Sequence, residues 1–170
     1  MVADPAFTVR RTRTQDVPVI ARLVSGYADD RILLDKERVT YYEDVQEFRV
    51  AVTPEETVIG CGALHVMWED LAEIRTLAVD PRWHGRGVGH RILEVLIEEA
   101  RALGVSRVFC LTFEVEFFER HGFQEIEGTP VAPDVFAELL RSGDEGVAEF
   151  LDLARVKPNT LGNSRMLREL

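Results

Sequence analysis

Residues 73–123 read EIRTLAVDPRWHGRGVGHRILEVLIEEARALGVSRVFCLTFEVEFFERHGF. The opening EIRTLAV is β-branched and apolar towards its end, as a buried strand should be. Asp80-Pro81 stops it, because proline has no N–H for a ladder and restricts the residue before it. Gly85, Gly87 and Gly89 follow, and a helical period then takes over. Ile92, Leu93, Leu96, Ile97, Ala100 and Leu103 fall on one face, with Arg91, Glu94, Glu98, Glu99 and Arg101 on the other. A strand feeding glycines that open a helix is an anion cradle in outline. Backbone N–H groups converge there, the helix dipole adds positive potential, and missing Cβ atoms permit close approach.

Gly104 is placed to cap the helix, and residues 107–113 form the next strand. A crossover helix between them makes the 73–79 and 107–113 strands parallel neighbours. Working outward, residues 7–11 read as a first strand, and Thr14 as the cap of a packing helix over 15–27. A short apolar segment, 32–36, precedes a helix over 37–44. Strands at 48–52 and 58–68, joined around Pro54-Glu55-Glu56, form an antiparallel meander that enters the Glu73 strand through Glu69-Asp70. Beyond the core stretch, residues 116–120 form a short helix, Asp134 caps another through Leu140, 149–156 is ambiguous, and 166–170 is a terminal strand. The expected class is α/β (α+β): a single domain over 1–170, with a mixed, mostly antiparallel sheet and helices on both faces.

The bulk properties narrow the partners. The chain has 170 residues, 46% hydrophobic, and a formal charge of −10, which argues against nucleic acid or an anionic membrane. No basic N-terminal segment leads into an apolar run, and no stretch is long enough to span a bilayer, so a cytoplasmic setting is expected. Within this acidic chain, Arg82, His84, Arg86, His90 and Arg91 cluster around the glycines. Cys61 and Cys110 lie in apolar strand contexts and read as buried thiols rather than a disulfide or metal pair.

Three glycine-rich logics compete for the cradle. A P-loop needs Gly-Lys-Ser/Thr, but His90-Arg91 follows Gly89. A dinucleotide site wants GxGxxG directly after its strand, whereas here 80–84 intervene and the spacing is GxGxG. The stretch His84-Gly85-Arg86-Gly87-Val88-Gly89 resembles the GNAT N-acetyltransferase signature, Arg/Gln-x-x-Gly-x-Gly/Ala, with His84 at the Arg/Gln position. FFERHGF is similar to that family's F-Y-x-x-x-G-F segment. The resemblance implies a sheet splayed between the Glu73 and Arg107 strands, with acetyl-CoA in the split. Leu77, Ala78 and Val79 would bond the pantetheine, and His84, Gly85, Arg86, Gly87, Val88, Gly89 and His90 would hold the pyrophosphate.

ILLDK, VIGCGALHV, AEIRTLAVDP and the late GNSRML further resemble the acetyltransferase part of N-acetylglutamate synthases, in the short single-domain form found in actinobacteria. The implied reaction joins acetyl-CoA to the α-amine of L-glutamate, the first step of arginine biosynthesis, and the family implies a homodimer. Glutamine, a polyamine or protein lysine as acceptor, or an acyl-CoA-sensing domain, are the competing readings. By resemblance Glu73 is the general base; by alternation it shares a strand face with Arg75, Leu77 and Val79, and pairing with Arg75 is its plain structural alternative. Phe118 stands where many relatives carry the acid tyrosine and can donate nothing, so the leaving thiolate would be protonated by water or by Ser164, with Tyr41 and Tyr42 as remote alternatives. The implied substrate contacts are Lys36, Arg75, Thr112, Asn163, Ser164 and Arg165, with Gly162 where some synthases have arginine. For Lys36 and Arg165 a solvated surface charge is the plain alternative.

Overall fold

The computed structural model describes residues 6–29, 36–153 and 162–170. One seven-stranded sheet runs in the order β1-β2-β3-β4-β5-β7-β6. Its strands are β1 (Thr8–Arg11), β2 (Phe48–Val52), β3 (Val58–Trp68), β4 (Leu71–Val79), β5 (Arg107–Thr112), β6 (Gln124–Glu125) and β7 (Ser164–Glu169). The helices are α1 (Val17–Asp29), α2 (Arg38–Glu43), α3 (Val88–Ala102), α4 (Val115–Glu119), α5 (Pro133–Leu139) and α6 (Glu145–Phe150). The sheet is antiparallel apart from β4–β5, the pair joined by the crossover α3. Among the described residues no helix is long and apolar enough to cross a membrane.

The two faces of the sheet are built differently. On one, α3 lays Val88, Ile92, Leu93, Leu96 and Ala100 against Ile59, Leu64, Ala72 and Ile74. Its period-3.6 apolar stripe is the reason it lies there. The other face carries two separate apolar clusters. α1 and α2 cover Val50, Val52, Cys61 and Ala78, while α5 and α6 cover Met67, Leu71 and Phe109. Between these clusters the strands present charged side chains.

Four local expectations are corrected. Thr14 does not cap α1: Thr14–Asp16 is a 3-10 turn with Arg13 as its cap, and the Asp16 carboxylate takes the Arg13 N–H at 2.7 Å and the Arg10 guanidinium at 2.8 Å. Asp134 does not cap α5, because Pro133 occupies its first turn and Ala132 the cap. The ambiguous segment is entered earlier, as α6, with the Asp144 carboxylate accepting the Val147 N–H at 2.9 Å; residues 154–161 lie outside the described residues.

The fourth correction bears on the site. Cys61 faces Ala78 and Ala63 faces Arg75, so Gly62 alone opposes both Thr76 and Leu77. This is a β-bulge, with Thr76 in the left-handed region at φ 58. The extra residue reverses the alternation. Leu77 and Val79 pack on the α3 side, whereas Glu73 and Arg75 point to the opposite face. A Cβ on Gly62 would lie 3.1 Å from Leu77 Cδ1 and 2.8 Å from Ile92, so glycine is what lets the bulged strand close on α3.

Candidate functional site

β4 and β5 pair at only three positions, Leu71–Arg107, Ala72–Val108 and Glu73–Phe109. Beyond Glu73 they part, because β5 stays bonded to β7 along its whole length while the bulge carries β4 away. A split opens immediately past Glu73. Because the pairing with β5 ends at Glu73, the later residues of β4 have no strand partner on that side among the described residues, which leaves the backbone edge there for a ligand.

The far end of the split is the glycine cradle. Asp80 turns the chain by accepting the Arg82 N–H at 2.9 Å, and Pro81–Trp83 makes one 3-10 turn. Gly85 and Gly87 have φ of 74 and 80, and a Cβ on either would meet nothing within 4 Å. The cradle is therefore open and suits residues without side chains. The first α3 bond runs from the Arg91 N–H to the Gly87 carbonyl at 3.0 Å, so the N–H groups of Val88, Gly89 and His90 have no acceptor within the helix. A pyrophosphate fits this arrangement. Arg86 stacks over Trp83 at 4.9 Å. His84 folds back: its Nε2 lies 3.1 Å from the Val79 carbonyl and 2.9 Å from the Tyr27 hydroxyl. Tyr27, at the end of α1, donates to the same Val79 carbonyl at 2.6 Å.

At the root of the split is a buried charge network. The Arg75 guanidinium donates to Glu73 Oε2 from Nε at 3.1 Å and Nη2 at 2.6 Å, and to Asp144 Oδ2 from Nη1 at 2.9 Å. Burial alone would lower the Arg75 pKa, but Glu73 and Asp144 outweigh it and the group is held well above its ordinary value. Burial likewise works against the Asp144 carboxylate, and Arg75 overrides it, bringing Asp144 down to about 2. His65 stands opposite Glu73 on β3, with Nδ1 2.7 Å from Glu47 and Nε2 3.9 Å from Asp144. Burial, then the Arg75 charge, lowers Lys36, with Glu73, Asp144 and Asp44 opposing. Lys36 thus shares the site electrostatically.

The remaining candidates divide. Ser164 faces Thr112 across β5–β7, on the wall opposite the bulge. Asn163 precedes it and carries a buried Oδ1 with no hydrogen-bond partner among the described residues, an acceptor suited to an ammonium donor. Thr112 Oγ1 accepts the Glu114 N–H at 2.8 Å. Arg165 is engaged with the fold: it donates to the carbonyls of Gly128, Glu149 and Phe150 and lies 5.1 Å from the Phe109 ring centre. Phe118 is core, edge-on to Phe117 and Phe123 at 5.1 Å each. Burial pushes the Cys61 thiol up to about 12, and burial with the Glu73 charge pushes Cys110 well above its ordinary value, so neither is poised as a nucleophile. A separate cavity of about 730 Å³ lies on the α1 side, between Arg22, Tyr27, Thr57 and Pro81. Its lining includes neither Glu73 nor the glycines of the cradle.

Asp144, His65, Glu47 and Tyr27 escaped the sequence reading. The signal for Asp144 was present, since Asp144-Glu145-Gly146 before an apolar run is a helix start. The other three depend on which strands and helices come together.

Residues 20–123 match the acetyltransferase (GNAT) family. The amino-acid acetyltransferase of Mycobacterium tuberculosis is 63% identical over 161 residues, 94% of this chain and 92% of that protein. The crystal structure of Rv2747 from M. tuberculosis in complex with CoA and NLQ superposes with a TM-score of 0.93 at 62% identity, over 96% of this chain and 99% of that one. N-acetylglutamate synthase from Neisseria gonorrhoeae, complexed with coenzyme A and N-acetyl-glutamate, gives a TM-score of 0.76 at 26% identity, over 96% of this chain but 35% of that longer one.

Proposed function

Because the chain belongs to the acetyltransferase (GNAT) family, we propose that it transfers the acetyl group of acetyl-CoA to the α-amine of L-glutamate. In our reading this is the first step of arginine biosynthesis, carried out in the cytoplasm. The observation that carries the reading is the split itself, with an open glycine cradle at one end and the Glu73–Arg75–Asp144 network beside Lys36 at the other. An anion-bearing carrier fits the first and a zwitterionic acid with an extra carboxylate fits the second.

Acetyl-CoA supplies an activated thioester carbonyl, and the residues of the chain supply the rest. Gly85, Gly87 and the first turn of α3 hold the pyrophosphate through backbone N–H groups. Leu77, Ala78 and Val79 offer the β4 edge to the pantetheine. Lys36 binds a substrate carboxylate, and Asn163 Oδ1 accepts from the substrate nitrogen. Arg75, with all three donor nitrogens engaged, aligns Glu73 rather than binding substrate directly. Both Arg75 contacts fall on Oε2, which leaves Oε1 of Glu73 to take the proton from the amine, directly or through a water. A backbone N–H of β4 near Val79, on the edge that no longer pairs with β5, bonds the developing oxyanion. The leaving thiolate takes a proton from water, directly or relayed through the Ser164 hydroxyl, which water reprotonates.

Thiol release from acetyl-CoA, measured across L-glutamate, L-glutamine, spermidine and a lysine peptide, tests this assignment. Fastest release with glutamate, with N-acetylglutamate as product, is expected. Release with the peptide or spermidine alone overturns the substrate assignment, and CoA binding without release to any of them favours a sensing domain.

A further inference from the structure

Beside the glycine cradle lies a pair of imidazoles for which the transfer chemistry has no use. His90, the third residue of α3, places Nδ1 2.7 Å from Nε2 of His121, which follows α4. The rings stack at 5.0 Å with 30° between their planes, and Phe117 packs against both, at 4.7 and 5.5 Å. A Cβ on Gly89 would sit 3.5 Å from that same Phe117 ring, and His90 is the next residue of the helix turn that opens the cradle, so Phe117 links the pair to the cradle.

Proton counting defines what such a pair can do. Two neutral imidazoles in hydrogen-bond contact hold one proton in the N–H···N bridge and one on an outer nitrogen, and the other outer nitrogen is bare. One further proton fills that position, makes the pair cationic and keeps the bridge. A second would break the bridge and set two like charges in contact. The pair is built to accept a single proton.

We propose that the His90–His121 pair is a proton-linked phosphate contact, taking up one proton when a phosphate of CoA enters the cradle. This rests on the acetyl-CoA reading above and extends it to a residue, His121, outside the glycine signature. The charged groups acting on His121 are Glu94, one turn along α3 from His90, and Arg168 on β7, whose guanidinium donates to the His121 backbone carbonyl; from α4 the Phe117 ring packs against both imidazoles. Burial, then the His90 and Arg168 charges, lower His121, with Glu94 opposing, so uncomplexed His121 is biased towards its neutral form. An entering phosphate shifts the balance the other way. Because binding takes up a proton, CoA affinity strengthens as the pH falls through the pKa of the complexed pair and levels off below that of the free pair.

The test is titration calorimetry of CoA into the full chain near pH 7, in buffers of differing ionisation enthalpy, which reads protons taken up on binding. Wild type is expected to take up about one proton more than His121→Gln or His90→Gln, and its Kd to rise up to tenfold more per pH unit above about pH 7. The ligand's own phosphate ionisation is common to all three proteins and cancels in the difference. Binding of CoA by either variant shows that it is folded, so the pair of variants guards against loss of one. A surplus that persists with 3′-dephospho-CoA assigns the pyrophosphate as the anion, and its loss there assigns the 3′-phosphate. Equal proton counts in wild type and both variants, with CoA still bound, overturn the proposal. Failure of wild type to bind CoA at all instead removes the acetyl-CoA reading beneath it.

Discussion

Replacing Asp144 with asparagine removes one charge from the network while leaving an amide that still caps α6. In the folded protein Asp144 titrates at about 2, against an ordinary value of 3.8. By linkage that difference is about 2 kcal/mol of stability, and the Asp144 side chain is 23% exposed, so solvent screening removes only part of it. A depressed carboxylate contributes fully above its unfolded pKa and loses its contribution as the pH falls through about 2. Urea unfolding at neutral pH should therefore show Asp144→Asn less stable by about 1–2 kcal/mol, and the gap should narrow between about pH 4 and pH 2. Asp144→Ala also loses the 2.9 Å bond from the Val147 N–H, which adds about 1 kcal/mol. A gap under about 0.5 kcal/mol at neutral pH, or one unchanged by acid, refutes the reasoning, because it means that Arg75 does not need its second carboxylate.

Three further outcomes follow from the same geometry. Glu73→Gln should lower turnover about 10²–10⁴-fold while CoA affinity changes little, as read by steady-state rates beside calorimetry; equal turnover would remove Glu73 as base. Lys36→Ala should raise KM for glutamate about 10–100-fold with little change for acetyl-CoA, the loss of one charge-assisted contact. Gly146→Ala would place a Cβ 2.5 Å from Arg75 Nη2 and 2.6 Å from its Cζ. Since that guanidinium is held by Glu73 and Asp144, the variant should lose about 1–3 kcal/mol in urea unfolding and lose activity with it.

The strand, glycine turn and crossover helix that frame the candidate cofactor cradle were legible because their signals are local. The period change around Gly85–Gly89 and the crossover that makes β4 and β5 parallel are both written in short-range pattern. The substrate half was less so. Thr76 is a β-branched residue at positive φ, a conformation its side chain disfavours, so nothing in EIRTLAV announces the bulge that turns Leu77 away from Glu73. Glu73, Arg75 and Asp144 converge only because α6 folds back on β4, across 69 residues between Arg75 and Asp144. Arg165 looked like a free cation, yet three backbone carbonyls occupy it. Helix α1 read as plain packing, which it is, and its last turn also brings the Tyr27 hydroxyl to the Val79 carbonyl. In each case a tertiary contact, invisible to periodicity, decided the role.

The most direct test is a crystal structure of the chain with CoA and N-acetylglutamate both bound. The account predicts the product amide nitrogen within about 3 Å of Glu73 Oε1, or of a water bonded to it, with a product carboxylate on Lys36 and the pyrophosphate on the Gly85–Gly89 backbone. N-acetylglutamate seated away from the β4–β5 split, with Glu73 still held by Arg75 and touching neither product nor water, would contradict it.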